Sequence, residues 1–537
     1  MYDSIIIGGG HNGLVCAAYL ARAGQRVLVL ERRPLIGGAA VTEELAPGYR
    51  CSTASYVVSL LLPEVERELK LRDHGYRVLP RSPSSFTPFE DGRSLLMGPD
   101  AALNHREIAK FSARDAEAYP RYEAWLSRIA ETLEPALMDT PPELLPLPAS
   151  WRRRGLLDRL QNLKRGRSLY TAMKSLGEEL PAAIELLTGP ATPILDRWFE
   201  SEELKGTLAT DAIIGTFAPP SAPGTGYVLL HHVMGMAGGA RGVWGYVEGG
   251  MGRLSEAMAA AAKSYGVDIR CDAEVDEILL DQGRVTGVRL AGGERIAGKR
   301  VVSNATAAVT FGKLLAPGSL PPAFDAAVQR IDYASASVKI NLAVSELPDF
   351  IAAPNHGSSE PGPQHRGTIH IGATTEYIER AYEDARRGQP SERPVIEMTI
   401  PTSVDRTLAP AGHHIVGLFV QYAPYTLAGS SWDQQREPFA DRVVAEITRY
   451  APNFARSILH RQVLAPPDLE ARFGLTGGNI FQGAMPLHQL FAFRPVPGWG
   501  DYRTPLRGLY LCGAATHPGG GVMGACGRNA AVAVLQG

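Results

Sequence analysis

The chain has 537 residues, of which 45% are hydrophobic and 20% charged, and its formal net charge at pH 7 is −2. This length exceeds that of a typical domain and predicts at least two domains. The near-neutral charge argues against a protein that binds nucleic acid, and the apolar runs are far too short to span a bilayer. Because the first predicted strand begins close to residue 1, we expect no leader peptide and a cytoplasmic location.

The cysteines are scattered and form none of the motifs that bind metals or exchange disulfides. Neither a C-x-x-C nor a C-x-x-x-x-C pair occurs, which argues against a zinc site, a redox disulfide and a disulfide-stabilised fold. We therefore expect no metal, and we interpret the cysteines as small core residues in a reducing compartment. They are Cys16, Cys51, Cys271, Cys512 and Cys526.

The first predicted element is an apolar strand over residues 5–7 that leads directly into a glycine-rich turn. The turn has G-x-G-x-x-G spacing between a strand and a helix, which is the arrangement of dinucleotide-binding folds. There the first glycine permits a tight turn, the second lets the backbone approach a pyrophosphate, and the third lets helix and strand pack closely. We expect a helix N-terminus to meet the pyrophosphate here, with contacts from Gly8, Gly10, His11, Asn12 and Gly13.

A second predicted strand, Val27–Leu30, ends at an acidic residue. An acid at this position binds a ribose hydroxyl and would repel the 2′-phosphate of NADP, so FAD and NAD remain as ligands. The run that follows contains an arginine and a double glycine, and it resembles the extended motif of FAD-dependent oxidoreductases. We therefore predict FAD as the cofactor, held in this region by Glu31, Arg32, Gly37, Gly38 and Ala39.

The middle and the end of the chain supply the remaining parts of a nucleotide-binding fold. An alanine-rich helix over 254–262 precedes a hairpin, 275–280 with 285–290, and a short strand at 300–304. This order predicts a β-meander that returns to a parallel sheet. At the C-terminus an apolar strand, Leu509–Leu511, again leads into glycines and a small-residue helix. We infer that the two ends of the chain serve one ligand.

The predicted fold class is α/β, with a Rossmann-like FAD-binding domain (parallel sheet plus β-meander) and an inserted α+β substrate domain. Residues 80–240 are expected to be mostly helical, with breaks at prolines that include Pro146 and Pro148, whereas 310–490 mixes strands and helices. We assign 1–78, 245–310 and 495–537 to the FAD-binding domain, and 79–244 and 311–494 to the substrate domain.

Residues 152–167 contain a run of basic side chains interleaved with leucines. The spacing predicts a basic helix with one apolar face. Two interpretations remain open: the helix contacts a membrane surface, which would suit a lipophilic substrate, or it is a solvated helix packed on its own domain. The basic residues are Arg152, Arg153, Arg154, Arg159, Lys164, Arg165 and Arg167, and the leucines are Leu156, Leu157, Leu160 and Leu163.

Taken together, segments 8–40, 249–254 and 508–531 resemble the phytoene desaturase group of flavoproteins, and the resemblance covers the whole chain. Segments 481–485 and 517–525 further resemble one subgroup that has bacterial members. The resemblance implies a two-domain FAD enzyme of the amine oxidase type.

The same resemblance implies further contacts with FAD. The backbone of Val275 would hold the adenine, and Gly513 would belong to the C-terminal part of the site. A helix starting at Val522 would direct N–H groups near Met523 at the flavin pyrimidine ring, where reduced flavin carries negative charge. The protein would thereby tune the cofactor, which supplies the hydride chemistry.

Two side chains are candidates for a catalytic role. Lys339 lies in a strand that is otherwise apolar on one face, and in related amine oxidases a lysine on a similar strand holds a water near flavin N5. His517 lies just before the C-terminal glycines and would face the substrate side of the flavin. The alternative interpretations are an exposed strand lysine and a loop histidine that caps backbone groups.

The favoured function is FAD-dependent oxidation or dehydrogenation of a lipophilic small molecule, with hydride transfer to flavin N5. Because no second nucleotide motif is found, electrons would pass to oxygen or a quinone. The alternatives are isomerisation of a polyene, oxidation of an amine, and a flavin-binding scaffold without turnover. An amine oxidase usually has an aromatic cage at the flavin, and the C-terminal motif contains no aromatic residue nearby, which disfavours that alternative.

Overall fold

The computed structural model describes residues 1–144, 155–237 and 240–537, so Pro146, Pro148 and the basic residues Arg152, Arg153 and Arg154 lie outside the described residues. The strands, in chain order, are β1 (Ser4–Ile7), β2 (Val27–Leu30), β3 (Thr42–Ala46), β4 (Tyr49–Ser52), β5 (Val78–Pro80), β6 (Ser85–Pro88), β7 (Ser94–Met97), β8 (Met236–Ala237), β9 (Ala240–Arg241), β10 (Gly245–Val247), β11 (Asp268–Arg270), β12 (Val275–Asp281), β13 (Arg284–Leu290), β14 (Arg295–Ala297), β15 (Val301–Ser303), β16 (Ser337–Val344), β17 (Thr368–Ile371), β18 (Val395–Thr399), β19 (His414–Gln421), β20 (Ile458–Leu464) and β21 (Leu509–Leu511). The α-helices are α1 (His11–Arg22), α2 (Pro63–Glu68), α3 (Ala101–Ile108), α4 (Ala113–Leu137), α5 (Leu156–Ser175), α6 (Leu180–Thr188), α7 (Ala191–Trp198), α8 (Glu202–Ala209), α9 (Thr225–Val233), α10 (Gly252–Ser264), α11 (Ala307–Gly312), α12 (Pro322–Val328), α13 (Thr375–Arg386), α14 (Trp432–Tyr450), α15 (Phe454–Ser457), α16 (Pro466–Phe473) and α17 (Ala525–Gln536). Short 3₁₀ helices span Leu71–His74, Gly177–Glu179, Thr210–Ala212, Pro363–His365, Pro401–Ser403, Thr476–Gly478, Leu487–Gln489 and Phe491–Phe493.

A parallel sheet with the strand order β11-β2-β1-β15-β21 joins the two ends of the chain. At its centre Ile5 pairs with Leu28 on one side and with Val301 on the other. Every residue of β1 and β2 is buried, as expected for central parallel strands that are covered on both faces. The apolar runs predicted as strands near the N-terminus and the C-terminus therefore belong to one sheet.

Different elements cover the two faces of this sheet. Side chains alternate along a strand, so Ile6 and its neighbour Ile5 point to opposite faces. Ile6 packs in one core with buried residues of α1, α10 and α17. Ile5 packs in a second core with β12, β13 and β14, the predicted β-meander, and with α11 and α12.

The first and last helices approach each other closely. Gly13, Ala17 and Ala21 form a buried row of small residues on α1, as the sequence predicts. On α17 a Cβ atom added to Gly527 would lie 2.2 Å from the carbonyl oxygen of Asn12. Only a glycine permits this contact, which brings the C-terminal glycines next to the N-terminal turn.

A larger, mainly antiparallel sheet has the order β20-β16-β19-β18-β17-β6-β7, in which only the β17–β6 pair is parallel. The described residues of the region 80–240 are mostly helical, as predicted, but the region also contributes the hairpin of β6 and β7 to this sheet. The predicted α/β fold class is confirmed: a parallel sheet with a β-meander lies beside an α+β region. The domain boundaries stay a prediction.

Candidate active site

A cavity of about 1210 Å³ extends from the N-terminal glycine turn to the antiparallel sheet. Single small-molecule sites usually enclose roughly 300–1,000 Å³. The cavity therefore has room for a ligand at the glycine turn and for a second molecule at its other end. Of the residues predicted as site residues, those that line the cavity are Gly8, Gly10, His11, Asn12, Glu31, Arg32, Gly37, Gly38, Ala39, Val275, Lys339 and Val522.

The N-terminal turn has the shape that a pyrophosphate needs. A Cβ atom on Gly13 would lie 2.3 Å from the carbonyl oxygen of Gly8, and one on Gly10 would lie 2.8 Å from Asn304 Nδ2. Gly8 itself has a φ of +95°. Because Gly10 is the N-cap of α1 and has no side chain, the first N–H groups of this helix are left for an anionic ligand.

The carboxylate of Glu31 is fixed at the tip of β2. Its Oε2 accepts a hydrogen bond of 2.8 Å from the backbone N–H of Gly9, and its Oε1 accepts one of 2.9 Å from the N–H of Arg33. Each carboxylate oxygen has a second lone pair. Glu31 can therefore accept hydrogen bonds from the hydroxyls of a ribose in the cavity while it holds the glycine turn.

The residues after Glu31 close this end of the cavity. The N–H of Gly37 donates a 2.8 Å hydrogen bond to the carbonyl of Gly9, which ties the double glycine to the first turn. Val275 begins β12 and lines the same cavity. Arg32 also lines the cavity, and its Nη2 donates to the backbone carbonyls of Ala471 and Arg472 at 2.8 and 3.0 Å.

The C-terminal helix begins at Ala525, so the predicted start at Val522 is wrong. Gly519, Gly521 and Gly524 have φ values of +113°, +126° and +74°, and this left-handed backbone cannot be part of an α-helix. Val522 still lines the cavity, as part of a turn. A helix N-terminus close to the flavin at this position is therefore not formed by residues 522–523.

Three further predicted residues support the cavity without lining it. Gly13 packs against the backbone of the first turn, at Gly8. A Cβ atom on Gly513 would lie 2.6 Å from the carbonyl of Asn304, so this glycine permits two strand ends to meet. Met523 is buried, and its carbonyl accepts a 3.0 Å hydrogen bond from the N–H of Leu62.

His517 is buried beside the cavity but is not among the residues that line it. Its ring packs against Phe491, with ring centroids 5.6 Å apart, and its carbonyl accepts a 2.9 Å hydrogen bond from the Tyr502 hydroxyl. Burial lowers the pKa of His517 to about 3, so the ring is neutral at physiological pH. We do not retain His517 as a catalytic candidate.

Lys339 lies in the cavity wall with only 3% of its surface exposed, so the interpretation as an exposed strand lysine is wrong. Its Nζ donates to Asn341 Oδ1 at 2.5 Å and to the Ile340 carbonyl at 3.3 Å, both of which are uncharged. It also lies 5.4 Å from the centroid of the Tyr56 ring. Burial lowers the pKa of Lys339 to about 8.

A row of side chains crosses the antiparallel sheet in register with Lys339. Lys339 pairs with Phe419, Phe419 with Glu397, and Glu397 with His370. Residues paired in this way project from the same face of a sheet, and all four line the cavity. The hydroxyl of Tyr56 stands over the row and donates a 3.0 Å hydrogen bond to Glu397 Oε2.

Ionisable groups gather at the end of the cavity beyond this row. Burial raises the pKa of Glu397 to about 8, helped by the nearby charge of Asp211, and burial raises the pKa of Asp211 to about 6. Arg81 opposes both shifts, and its Nε and Nη1 donate to the Trp244 carbonyl and to Thr368 Oγ1 at 3.0 and 2.6 Å. Raised carboxyl pKa values in a cavity are typical of functional sites.

The sequence analysis missed Glu397 and His370. Each is a polar residue flanked by apolar ones in a short β-strand, in the runs VIEMT and TIHI. A polar side chain at such a position is a signal for a buried site. The pairing of the strands, which brings these residues to Lys339, could not be read from that local pattern.

The glycine turn, Glu31 and the meander define a dinucleotide-binding flavoprotein, and comparison with known proteins agrees. Residues 13–410 match the family described as flavin containing amine oxidoreductase. Pyridine nucleotide-disulfide oxidoreductase domain-containing protein 2 of Rattus norvegicus is 50% identical over 546 residues, which cover 100% of this chain and 93% of the relative. The chain belongs to the flavin-containing amine oxidoreductase family, is an oxidoreductase, and has FAD as its cofactor.

Two more distant similarities fit this assignment. The lycopene-forming phytoene desaturase of Pseudescherichia vulneris is 25% identical over 546 residues, covering 100% of this chain and 99% of the relative. The structure of cyclohexylamine oxidase from Brevibacterium oxydans IH-35A has a TM-score of 0.56 at 16% identity, with 100% of this chain and 99% of that chain covered. The predicted resemblance to phytoene desaturase-type and amine oxidase-type flavoproteins is confirmed.

Proposed function

We propose that this protein oxidises or dehydrogenates a lipophilic small molecule, with FAD as the hydride acceptor. The observation that supports this is one continuous cavity, which has dinucleotide-binding residues at one end and many apolar side chains in the rest of its wall, beside the ionisable groups described above. These apolar side chains are Leu60, Met97, Leu126, Leu208, Ile214, Leu229, Val233 and Phe481. A relative named phytoene desaturase fits such a substrate. Electrons would then leave to oxygen or a quinone.

We assign the cofactor and the reacting molecule to opposite ends of the cavity. The turn from Gly8 to Gly13 would bind the pyrophosphate, Glu31 the ribose, and the backbone at Val275 the adenine. The flavin, when bound, supplies the hydride acceptor. Lys339, buried in the middle of the cavity wall, would hold a water or a polar substrate atom close to the flavin ring.

A saturated substrate that gives up a hydride must also lose a proton. The protein must therefore supply a group that accepts this proton. Glu397 fits this task, because it lies in the cavity wall and is hydrogen bonded to Tyr56. A carboxyl with a pKa of about 8 is a stronger base than an ordinary glutamate once it is ionised. Its neighbour Asp211, with a pKa of about 6, would retain a negative charge beside it.

Oxidation of an amine is the second candidate. The objection from the sequence was the lack of an aromatic residue near the C-terminal motif. Tyr56 and Phe419, from elsewhere in the chain, both line the cavity beside Lys339, with ring centroids 6.1 Å apart. Two rings at this position could border an amine next to the flavin.

The experiment that tests the proposal is an anaerobic substrate screen with the purified holoenzyme. Long-chain alcohols, polyenes and amines are mixed with the enzyme, and loss of flavin absorbance is followed at about 450 nm. Bleaching by an alcohol or a polyene supports the proposal, and bleaching by amines alone favours the second candidate. Conversion of a polyene without net bleaching would indicate an isomerase. Bound FAD with no reaction in any class would indicate a scaffold and overturn the proposal.

A further inference from the structure

The first half of helix α5 presents leucines to the solvent and polar side chains to the protein. An amphipathic surface helix normally turns its apolar side to the core. In α5 four of the five leucines face outward instead: Leu156, Leu157, Leu160 and Leu163 are 75%, 74%, 55% and 70% exposed. No residue of this 20-residue helix is fully buried.

In the first half of α5 the side that faces the protein is polar, whereas in the second half Leu169, Ala172 and Met173 lie on that side, and Ala172 and Met173 pack against the core. Asp158, Gln161, Asn162 and Arg165 are only partly exposed on the polar side. The Asn162 side chain makes two hydrogen bonds with the backbone of Glu143, one donated to its carbonyl at 2.9 Å and one accepted from its N–H at 2.7 Å. These bonds fix the rotation of the helix, so the leucines are turned outward by specific contacts on the opposite side.

The outward face of α5 is also positively charged. Arg159, Lys164, Arg167 and Lys174 are exposed around the leucines, and the helix contains one acidic residue, Asp158. Tyr170, 66% exposed, continues the leucine row toward the end of the helix. Exposed leucines can insert among acyl chains, and the cations beside them attract anionic headgroups, which are the two contributions that hold a helix at a lipid surface.

We propose that α5 is a membrane-docking helix that lies flat on an anionic lipid surface and inserts its leucines among the acyl chains. The proposed lipid-binding surface consists only of residues of α5, Leu156–Ser175, all of which the structure describes. Among the described residues no helix has the length and apolarity to cross a bilayer, so the contact would be peripheral. α5 packs on α4, and Tyr122 and Leu126 of α4 line the cavity. Docking would therefore bring the cavity within one helix layer of the lipid.

Vesicle flotation of the holoenzyme tests the proposal without any assumption about its substrate. Vesicles of phosphatidylcholine alone are compared with vesicles that also contain phosphatidylglycerol, at low and at high salt. We expect the holoenzyme to float only with the anionic vesicles and to be released by salt. The double variant Lys164→Gln/Arg167→Gln should bind more weakly by roughly fivefold for each cation removed.

The leucine row is tested with the double variant Leu157→Gln/Leu160→Gln. It should lose flotation while keeping its flavin absorbance and its melting temperature, because these side chains are exposed in the folded protein. Ile351→Gln/Leu535→Gln is the matched control, since Ile351 and Leu535 are exposed elsewhere and should not matter. Equal flotation of the leucine variant and the wild type would overturn the proposal.

A second copy of this chain is the competing occupant of the leucine face. Light scattering of the wild type and of the leucine variant distinguishes the two. A monomeric wild type that floats supports the membrane contact. A dimer that the leucine substitutions dissociate, with no flotation of the wild type, would overturn it. Both results are independent of which compounds reduce the flavin.

Discussion

The Tyr56 hydroxyl donates a hydrogen bond of 3.0 Å to Oε2 of Glu397, and this contact links two parts of the chain that are far apart in sequence. Tyr56 follows the glycine-rich N-terminal region, and Glu397 lies on β18 of the antiparallel sheet. The ring of the same tyrosine is 5.4 Å from Lys339 Nζ. Tyr56 therefore stands between the buried cation and the buried acid of the cavity, and its removal should alter both.

We predict that Glu397→Gln makes both the melting temperature and the rate constant of flavin reduction less dependent on pH. Glu397 has its pKa raised from 4.5 to about 8, so its neutral form is favoured by folding. The stabilising effect of this raised pKa is complete below pH 4.5 and is lost as the pH rises through 8. The melting temperature of the wild type should therefore fall more steeply than that of Glu397→Gln between pH 6 and about 9. Thermal unfolding of both proteins across this range is the measurement.

The rate constant of flavin reduction should rise with pH, whereas the melting temperature falls. If Glu397 accepts the proton, the rate constant of anaerobic flavin reduction rises as the carboxyl ionises near pH 8. Tyr56→Phe removes a hydrogen bond that lowers the pKa of Glu397, so the rise should move to higher pH. Glu397→Gln should abolish the rise. A pH profile that is unchanged in both variants would exclude Glu397 as the proton acceptor.

Lys339→Met is expected to slow flavin reduction by at least about tenfold, equivalent to about 1.4 kcal/mol. The pKa of Lys339 is lowered from 10.5 to about 8, so below pH 8 the folded protein carries the cost of a buried charge. The variant should gain stability relative to the wild type at neutral pH, and the gain should shrink between pH 8 and 10.5. Stopped-flow reduction and thermal unfolding measure the two effects. The exposed Lys263→Met is the control, and a tenfold effect there would contradict a specific role for Lys339.

Glu31→Gln should weaken FAD binding by at least about tenfold, because a hydrogen bond to a charged group contributes roughly 1.5–3 kcal/mol. The substitution removes the charge and leaves one of the two N–H donors, on Gly9 or Arg33, without its acceptor. Titration of the apoprotein with FAD, followed by flavin fluorescence, gives the dissociation constant. The exposed Glu44→Gln serves as the control. An unaltered affinity of Glu31→Gln would place the ribose elsewhere.

Gly13→Ala should lose FAD and destabilise the protein by roughly 1–3 kcal/mol, the usual cost of overpacking. The added Cβ atom would lie 2.3 Å from a backbone oxygen, and a backbone cannot move aside as a flexible side chain can. Gly312→Ala is the matched control, because a Cβ atom there meets no atom within 4 Å. Thermal unfolding and the ratio of flavin to protein absorbance should separate the two variants. Full FAD content in Gly13→Ala would contradict the assigned role of the turn.

The parallel sheet could be predicted from sequence because its signals are local. Uninterrupted runs of branched apolar residues, such as Val27–Leu30, lie between glycine turns and an acid, and they match β2 in the structure. The start of α17 could not be predicted in this way. Gly519, Gly521 and Gly524 before it have positive φ, and Gly520 is packed so tightly that a Cβ atom would lie 2.1 Å from the ring of Phe481. That backbone shape depends on a contact some forty residues away.

The reactive part of the cavity was the least predictable. Lys339 was selected from its own strand, but Glu397 and His370 become relevant only through the pairing of β16, β19, β18 and β17. A shift of one residue in any of these pairings would turn the side chains to the other face of the sheet. The register is set by tertiary packing, which a single sequence does not reveal.

Arg494 leads to the last prediction, which concerns the stability of the cavity wall. This arginine is fully buried, and burial lowers its pKa to about 10. Its Nη2 donates to the carbonyls of Phe481 and Ala514 at 2.6 and 2.8 Å, and its Nη1 donates to the carbonyl of Ala484 at 3.1 Å. Phe481 and Ala514 line the cavity, so Arg494 fixes two parts of its wall to each other.

Arg494→Lys should destabilise the protein, because each buried carbonyl that loses its donor costs about 1–3 kcal/mol. An ammonium has three donors on one atom and cannot reach carbonyls that a planar guanidinium joins from several directions. Urea unfolding of the holoenzyme gives the loss, and FAD content reports whether the cavity wall is maintained. Arg253→Lys is the control, because Arg253 forms an exposed ion pair with Glu256 that should contribute roughly 0–1 kcal/mol. Equal stability of the two variants would mean that the contacts of Arg494 do not hold the wall together.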